Sequence, residues 1–154
     1  MFFVVQGCGS SDNEILDRDK VFQQENAELQ QIFARKEVER VLYLLKKNKN
    51  TAINGGLLLV KMALTSAKDI EADVSDLEFR FSAIEKDILH NEIDEISNTR
   101  DDELDINFLI RTLKIFELAK NAGIDITDLK KNIHEIERKL FDKKISETLK
   151  IPIS

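Results

Sequence analysis

Apolar residues recur at intervals of three and four along most of this chain, and few turn residues interrupt them. This spacing places the apolar side chains on one face of an α-helix. Between Ser10 and Ile151 there is no proline and there are only three glycines. A fold of many strands needs a turn every ~8–12 residues. The pattern therefore predicts an all-α protein with five helices, over residues 13–49, 51–72, 75–96, 100–123 and 129–149.

The first of these helices has an uneven apolar stripe. In its first half the main apolar positions are Ile15, Phe22 and Leu29, and the dense pattern begins only after Leu29. We expect this half to project beyond the core. It serves either as a spacer or as a helix that pairs with a partner helix through these three residues.

The second helix begins with a pair of glycines. Gly55 and Gly56 lie in its first turns, where a glycine costs about 1 kcal/mol relative to alanine, so we expect close backbone packing there. The run Leu57–Val60 that follows is apolar on all sides. This predicts that the second helix is the most buried of the five.

Turn residues mark the ends of the later helices. Ser75, followed three residues later by Glu78, has the spacing of a capping box at a helix start. Gly123 is predicted to end the fourth helix. The acidic residues 101–103 are predicted to lie in the first turn of that helix, where they favour the helix dipole.

The chain contains an internal similarity. Residues 57–93 align without gaps on residues 109–145, with nine identities in 37 positions. Any two amphipathic helices share a stripe, but the turn Asp-[Val/Ile]-[Ser/Thr]-Asp-Leu also coincides, at residues 73–77 and 125–129. Duplication and convergence both explain the match. Two copies are fewer than an open solenoid needs. We expect a five-helix bundle over residues 14–150, with a long N-terminal helix packed on two antiparallel helical hairpins.

Charge is distributed unevenly along the chain. The net charge of −6 argues against general nucleic-acid binding. Residues 69–105 hold fourteen acidic and three basic residues, whereas residues 130–150 hold seven basic and four acidic ones. Two interpretations stay open, namely two oppositely charged solvated faces or a docking patch for another protein. The candidate partner-binding residues of such a patch are Asp87, Glu92, Asp94, Glu95, Asp101 and Asp102.

Residue types that carry catalysis or bind metals form no recognisable set. Asp87 and His90 have the carboxylate-x-x-His spacing of di-metal helix bundles, but such sites need the motif twice. At His134 the matching position is Lys131, which cannot be a ligand. A glycine-rich phosphate loop is also missing. We therefore predict no enzyme activity, no metal and no cofactor.

The first eight residues carry the clearest functional motif. They read Met-Phe-Phe-Val-Val-Gln-Gly-Cys, and the small polar residues 9–13 follow. This resembles the end of a bacterial lipoprotein signal peptide, in which the cysteine is lipidated and becomes the mature N-terminus. The resemblance implies a lipobox at residues 5–8, a lipid on Cys8 and a flexible tether over residues 9–13. The alternative is a short apolar segment that packs on the bundle, with Cys8 as an incidental thiol.

A second local pattern lies between the fourth and fifth helices. Residues 118–124, together with Leu129, resemble the helix-turn-helix of DNA-binding proteins. Asn132 stands where that family has an apolar residue, and Asp125 and Asp128 have the wrong charge to approach phosphate. A helical hairpin in a bundle explains the same residues.

These patterns lead to one functional expectation and two alternatives. We expect a non-enzymatic helical lipoprotein of the bacterial cell envelope, which binds another protein and reaches the lipid bilayer through Cys8. The first alternative is a cytosolic helical adaptor or regulator without a lipid. A DNA-binding helix-turn-helix protein ranks behind both, and no nucleic-acid partner is expected.

Overall fold

The computed structural model describes the backbone of residues 2–150 and the side chains of residues 14–150. Within these bounds the chain forms five α-helices and no strand. The predicted all-α fold is confirmed. The helices are α1 (Phe2–Lys47), α2 (Leu57–Asp69), α3 (Ser75–Ser97), α4 (Ile106–Asn121) and α5 (Thr127–Lys150).

The longest helix, α1, has 46 residues. Its backbone runs without a break through residues 9–13, where the sequence predicted a flexible tether. The side chain of Cys8 lies outside the described residues, so the lipid on this cysteine stays a prediction.

The first half of α1 projects beyond the core, as predicted. Every side chain from Glu14 to Gln30 is exposed, and burial begins only around Ala34. The core-facing residues of α1 are Val38, Val41, Leu42 and Leu45.

Helices α2 and α3 pack on the second half of α1, and α4 and α5 pack on α3 and on each other. Helix α2 runs back along α1, because its end reaches Gln31, whose side chain donates a hydrogen bond to the carbonyl of Ile70 at 3.0 Å. Helix α1 packs most extensively on α2 and also contacts α3, and both α4 and α5 contact α3. Large apolar side chains buried at the centre are Leu57, Val60, Leu77, Leu89, Ile115 and Leu129.

The connection between α1 and α2 differs from the prediction. Residues Ala52–Gly56 form a π-helical turn, in which Gly55 has φ 147°. A residue with a side chain rarely adopts this φ, and the regular α-helix starts only at Leu57. At Gly56 the predicted close packing is present, since a Cβ atom there would lie 3.1 Å from Cδ1 of Leu45.

Among the described residues, α2 has the largest share of buried side chains of the five helices, as predicted, but its apolar run is not buried on all sides. Leu57 and Val60 are fully buried, but Leu58 and Leu59 are 59% and 58% exposed. Successive residues of a helix point about 100° apart, and only one side of α2 faces the core.

The capping box predicted at Ser75 and Glu78 does not form. Asp73 provides the cap instead, because its Oδ1 accepts hydrogen bonds from the Ser75 hydroxyl at 2.8 Å and the Ser75 N–H at 3.3 Å. The carboxylate of Glu78 forms an ion pair with Lys68.

The start of α4 also differs from the prediction. Residues Asp101–Glu103 form a separate short 3₁₀ turn and not the first turn of α4. The helix begins at Ile106 and is capped by Asp105, whose Oδ1 accepts a hydrogen bond from the N–H of Phe108 at 2.7 Å. Its other end, near Gly123, agrees with the prediction, because Gly123 has φ 75°.

Candidate functional site

A cleft of about 500 Å³ lies between the end of α3, the segment 98–105 and the start of α4. The chain reverses direction here, and the buried Leu104 anchors the connecting segment to the core. The cleft is lined by Glu92, Asp94, Glu95, Ile96, Asn98, Thr99, Glu103, Phe108, Arg111 and Thr112.

One ion pair joins the two helices that flank the cleft. Nη2 of Arg111 on α4 lies 2.5 Å from Oε2 of Glu92 on α3. The side chain of Glu92 is only 15% exposed, whereas that of Arg111 is 51% exposed. The pair therefore neutralises the most buried carboxylate of the cleft and holds α4 against α3.

Part of the cleft is apolar. Ile96 and Phe108 line it, together with Thr112, which is fully buried. The Thr112 hydroxyl donates a hydrogen bond to the carbonyl of Phe108 at 2.8 Å, so it presents no free donor to the cleft. Such a wall can receive the aliphatic stem of a long side chain.

Two carboxylates of the cleft have no cationic partner. Glu103 pairs with Arg100 at 3.1 Å. For Asp94 and Glu95, by contrast, no ion pair occurs anywhere in residues 14–150. Both lie in the last turn of α3, where the helix dipole adds further negative potential. The cleft can therefore accept a cation, such as a lysine or arginine side chain of another molecule.

The cleft includes half of the predicted partner-binding residues. Glu92, Asp94 and Glu95 lie in it. The other three pair with cations of the same chain and do not line the cleft. These pairs are Asp87 with Lys49 at 3.9 Å, Asp101 with Lys139 at 2.7 Å and Asp102 with Arg100 at 3.6 Å.

Sequence reasoning missed the cleft residues Glu103, Phe108, Arg111 and Thr112. Glu103 belongs to the acidic segment, but its position in the sequence predicted a place in the first turn of a helix. Arg111 lies outside the acidic segment 69–105 and is 19 residues from Glu92, so no local spacing marked the pair.

Eight of the fourteen acidic residues in the segment 69–105 form an ion pair within residues 14–150. Helix α3 lies among the other helices, and basic residues from several of them reach its carboxylates. One of these pairs is bidentate, with Nη1 and Nη2 of Arg35 each 2.7 Å from one carboxylate oxygen of Asp76. This pair lowers the pKa of Asp76 to about 2. The six acidic residues without an ion pair in this part of the chain are Asp69, Glu71, Asp73, Asp94, Glu95 and Asp105. Of these, only Asp94 and Glu95 line the cleft.

Among the described residues, no group of three or more His, Cys, Asp or Glu side chains is placed to hold a metal ion. None of the helices, over the same part of the chain, is long and apolar enough to cross a membrane.

Comparison with known proteins gives no relative. No family model matches the chain, and neither the curated proteins nor the solved structures contain a match.

Proposed function

We propose that this chain is a non-enzymatic helical lipoprotein of the bacterial cell envelope that binds another protein through the cleft between α3 and α4. One observation carries the binding role. The carboxylates of Asp94 and Glu95 form no ion pair within residues 14–150, and they lie beside an apolar wall. The partner would insert a lysine or arginine side chain of a basic segment. Its charged end would meet the carboxylates, and its stem would lie along Ile96 and Phe108.

Affinity capture from envelope extracts, with matched variants as bait, tests the binding role. Asp94→Asn/Glu95→Gln removes both uncompensated charges of the cleft. Asp69→Asn/Glu71→Gln removes the same charge at the exposed end of α2 and the turn after it, and serves as the control. We expect a partner whose capture falls at least tenfold with the cleft variant and at raised salt, but not with the control. Equal capture by all three baits would contradict the proposal.

The membrane role rests on the resemblance of residues 5–8 to a lipobox. The test is metabolic labelling of the native host with a fatty-acid analogue, followed by cell fractionation. We expect label on the wild-type protein in the envelope fraction and none on Cys8→Ser. An unlabelled wild-type protein in the soluble fraction would overturn the lipid anchor.

A cytosolic adaptor that uses the same cleft is the second candidate function. The observation that favours it is the unbroken backbone of α1 through residues 9–13, where a lipoprotein would have a tether. The fractionation experiment separates the two candidates. The capture experiment applies to both.

A further inference from the structure

The projecting half of α1 carries an apolar stripe that no residue from 14 to 150 covers. Ile15, Phe22 and Leu29 are 51%, 69% and 52% exposed. They are seven residues apart, about two helical turns, so they lie nearly in line. Nine residues separate Leu29 from the buried Val38, which corresponds to a rotation of about 180°. The stripe therefore runs along the side of α1 that faces away from the core.

Two opposite charges alternate with the apolar residues of this stripe. Arg18 lies between Ile15 and Phe22, and Glu25 lies between Phe22 and Leu29. Neither charge has an ion pair with any residue from 14 to 150. Along the helix the stripe thus has the order apolar, positive, apolar, negative, apolar. Reversing the direction of the helix exchanges the two charges and leaves the apolar positions unchanged.

We propose that this segment, the projecting half of α1, pairs with the same segment of a second copy in antiparallel orientation, with Phe22 at the two-fold axis. Ile15 of one copy then faces the partner's Leu29. Arg18 lies beside the partner's Glu25, and the reciprocal pair forms on the other side of the axis. In a parallel pair, Arg18 would face a second arginine and Glu25 a second glutamate. The order of charges therefore selects the antiparallel dimer.

The geometry of the molecule permits this arrangement. The segment from Glu14 to Gln31 is about 27 Å long at 1.5 Å per residue. Its side chains are exposed up to Gln30, so no other helix of the same chain blocks it. An antiparallel pair places the two bundles at opposite ends of the paired segments. The contact is the same on both copies and closes on itself, so it yields a dimer and not a filament.

Analytical ultracentrifugation of the full chain and of charge variants tests the proposal. We expect a dimer whose dissociation constant rises roughly tenfold with Arg18→Glu or with Glu25→Arg. The double variant Arg18→Glu/Glu25→Arg restores the opposite-charge pairs and the wild-type affinity. Lys20→Glu is the matched control. Lys20 lies two residues from Arg18, about 200° around the helix, so its reversal leaves the affinity unchanged.

Phe22→Asp tests the apolar part of the contact. It puts two like charges at the two-fold axis, so we expect a monomer. Phe22 is exposed in a single copy of the chain. The circular dichroism spectrum and the unfolding midpoint of Phe22→Asp are therefore expected to match those of monomeric wild type. A wild-type chain that stays monomeric at the highest soluble concentration overturns the proposal. So does a dimer that is indifferent to Arg18→Glu and to Phe22→Asp.

Disulfide trapping tests the orientation directly. Cys8→Ser/Ile15→Cys and Cys8→Ser/Leu29→Cys are oxidised separately and as a mixture. The antiparallel pair predicts a mixed disulfide in the mixture and little cross-linking of either variant alone. Efficient cross-linking of Ile15→Cys with itself would overturn the proposed orientation.

Discussion

Glu71 and Gly123 occupy equivalent positions in two turns that are 52 residues apart, and both have positive φ, 61° and 75°. The next residue in each turn, Ala72 or Ile124, donates its N–H to the carbonyl five residues earlier, at 2.9 and 3.0 Å. This is the pattern of a Schellman motif, in which the residue with positive φ is usually glycine. The two turns of the internal repeat therefore share their backbone geometry.

The first prediction follows from the residue type at these two positions. Glu71 adopts a left-handed conformation that costs a side-chain-bearing residue about 1–2 kcal/mol. Glycine removes this cost but gains flexibility in the unfolded chain. We expect Glu71→Gly to raise the free energy of unfolding by about 0.5–1 kcal/mol, measured by urea denaturation.

The reciprocal substitution at Gly123 is the control. A Cβ atom at this position meets no atom within 4 Å, so only the backbone conformation opposes a side chain. Gly123→Ala is expected to lower the free energy of unfolding by about 1 kcal/mol. If both substitutions change the free energy of unfolding in the same direction, the two turns are not energetically equivalent.

The second prediction concerns the pH dependence of stability through Asp76. The bidentate hydrogen bonds from Arg35 lower the pKa of Asp76 from 3.8 to about 2 in the folded state. The folded protein therefore holds the carboxylate form down to a lower pH than the unfolded chain does. The resulting stabilisation is complete above the unfolded pKa and is lost as the pH falls towards 2.

Urea denaturation at pH 6 and at pH 2.5 measures this loss. Asp76→Asn is expected to lower stability at pH 6 and to reduce the additional loss at pH 2.5. Asp94→Asn removes a carboxylate of the same helix without breaking an ion pair, and it is the control for the change in net charge. If the loss of stability between pH 6 and pH 2.5 is as large in Asp76→Asn as in the wild type, other carboxylates cause it.

The third prediction concerns a buried ion pair between α2 and α3. Lys61 Nζ lies 2.9 Å from Oε2 of Glu85, whose side chain is only 8% exposed. Oε2 receives no hydrogen bond of good geometry, so charge attraction is its main compensation. Lys61→Met would leave a buried carboxylate without a cation. The expected destabilisation is about 2 kcal/mol, below the usual value for fully buried pairs because Lys61 is partly exposed.

A second substitution isolates the charge. In Lys61→Met/Glu85→Gln no buried charge remains, so most of the lost stability should return. Glu137 occupies the position equivalent to Glu85 in the repeat but is exposed. Glu137→Gln should therefore change the free energy of unfolding by less than about 0.5 kcal/mol. A double variant as unstable as Lys61→Met would show that the lysine acts through packing.

Local features of the fold were predictable from sequence because they depend on neighbours along the chain. Apolar residues at intervals of three and four predicted the five helices, and the thin apolar stripe before Leu29 indicated the projecting half of α1. Gly123 predicted a helix end because the residue after a helix often needs a positive φ, which is a local requirement that glycine meets. The caps were harder, since Asp73 and Ser75 are both residue types that accept hydrogen bonds from the free N–H groups at a helix start.

The candidate cleft depends on contacts between distant residues. The count of acidic residues predicted Glu92, Asp94 and Glu95 as partner-binding residues, but it did not show which acidic residues have a cation nearby in space. Asp101 pairs with Lys139, 38 residues away, and this depends on how α5 crosses the end of α3. Helical periodicity does not contain that information.

The apolar run at the start of α2 yields the last prediction, since periodicity did not show which of its residues are covered. Leu57 is fully buried and Leu58 is 59% exposed, although they are adjacent and chemically identical. Leu57→Ala leaves a cavity in the core, so it is expected to cost about 2–5 kcal/mol of unfolding free energy. Leu58→Ala should cost less than about 1 kcal/mol, because its side chain already contacts water. Urea denaturation of both variants measures the difference. Comparable losses would mean that Leu58 is covered in solution, and oligomeric state measured on the same samples would show whether a second copy covers it.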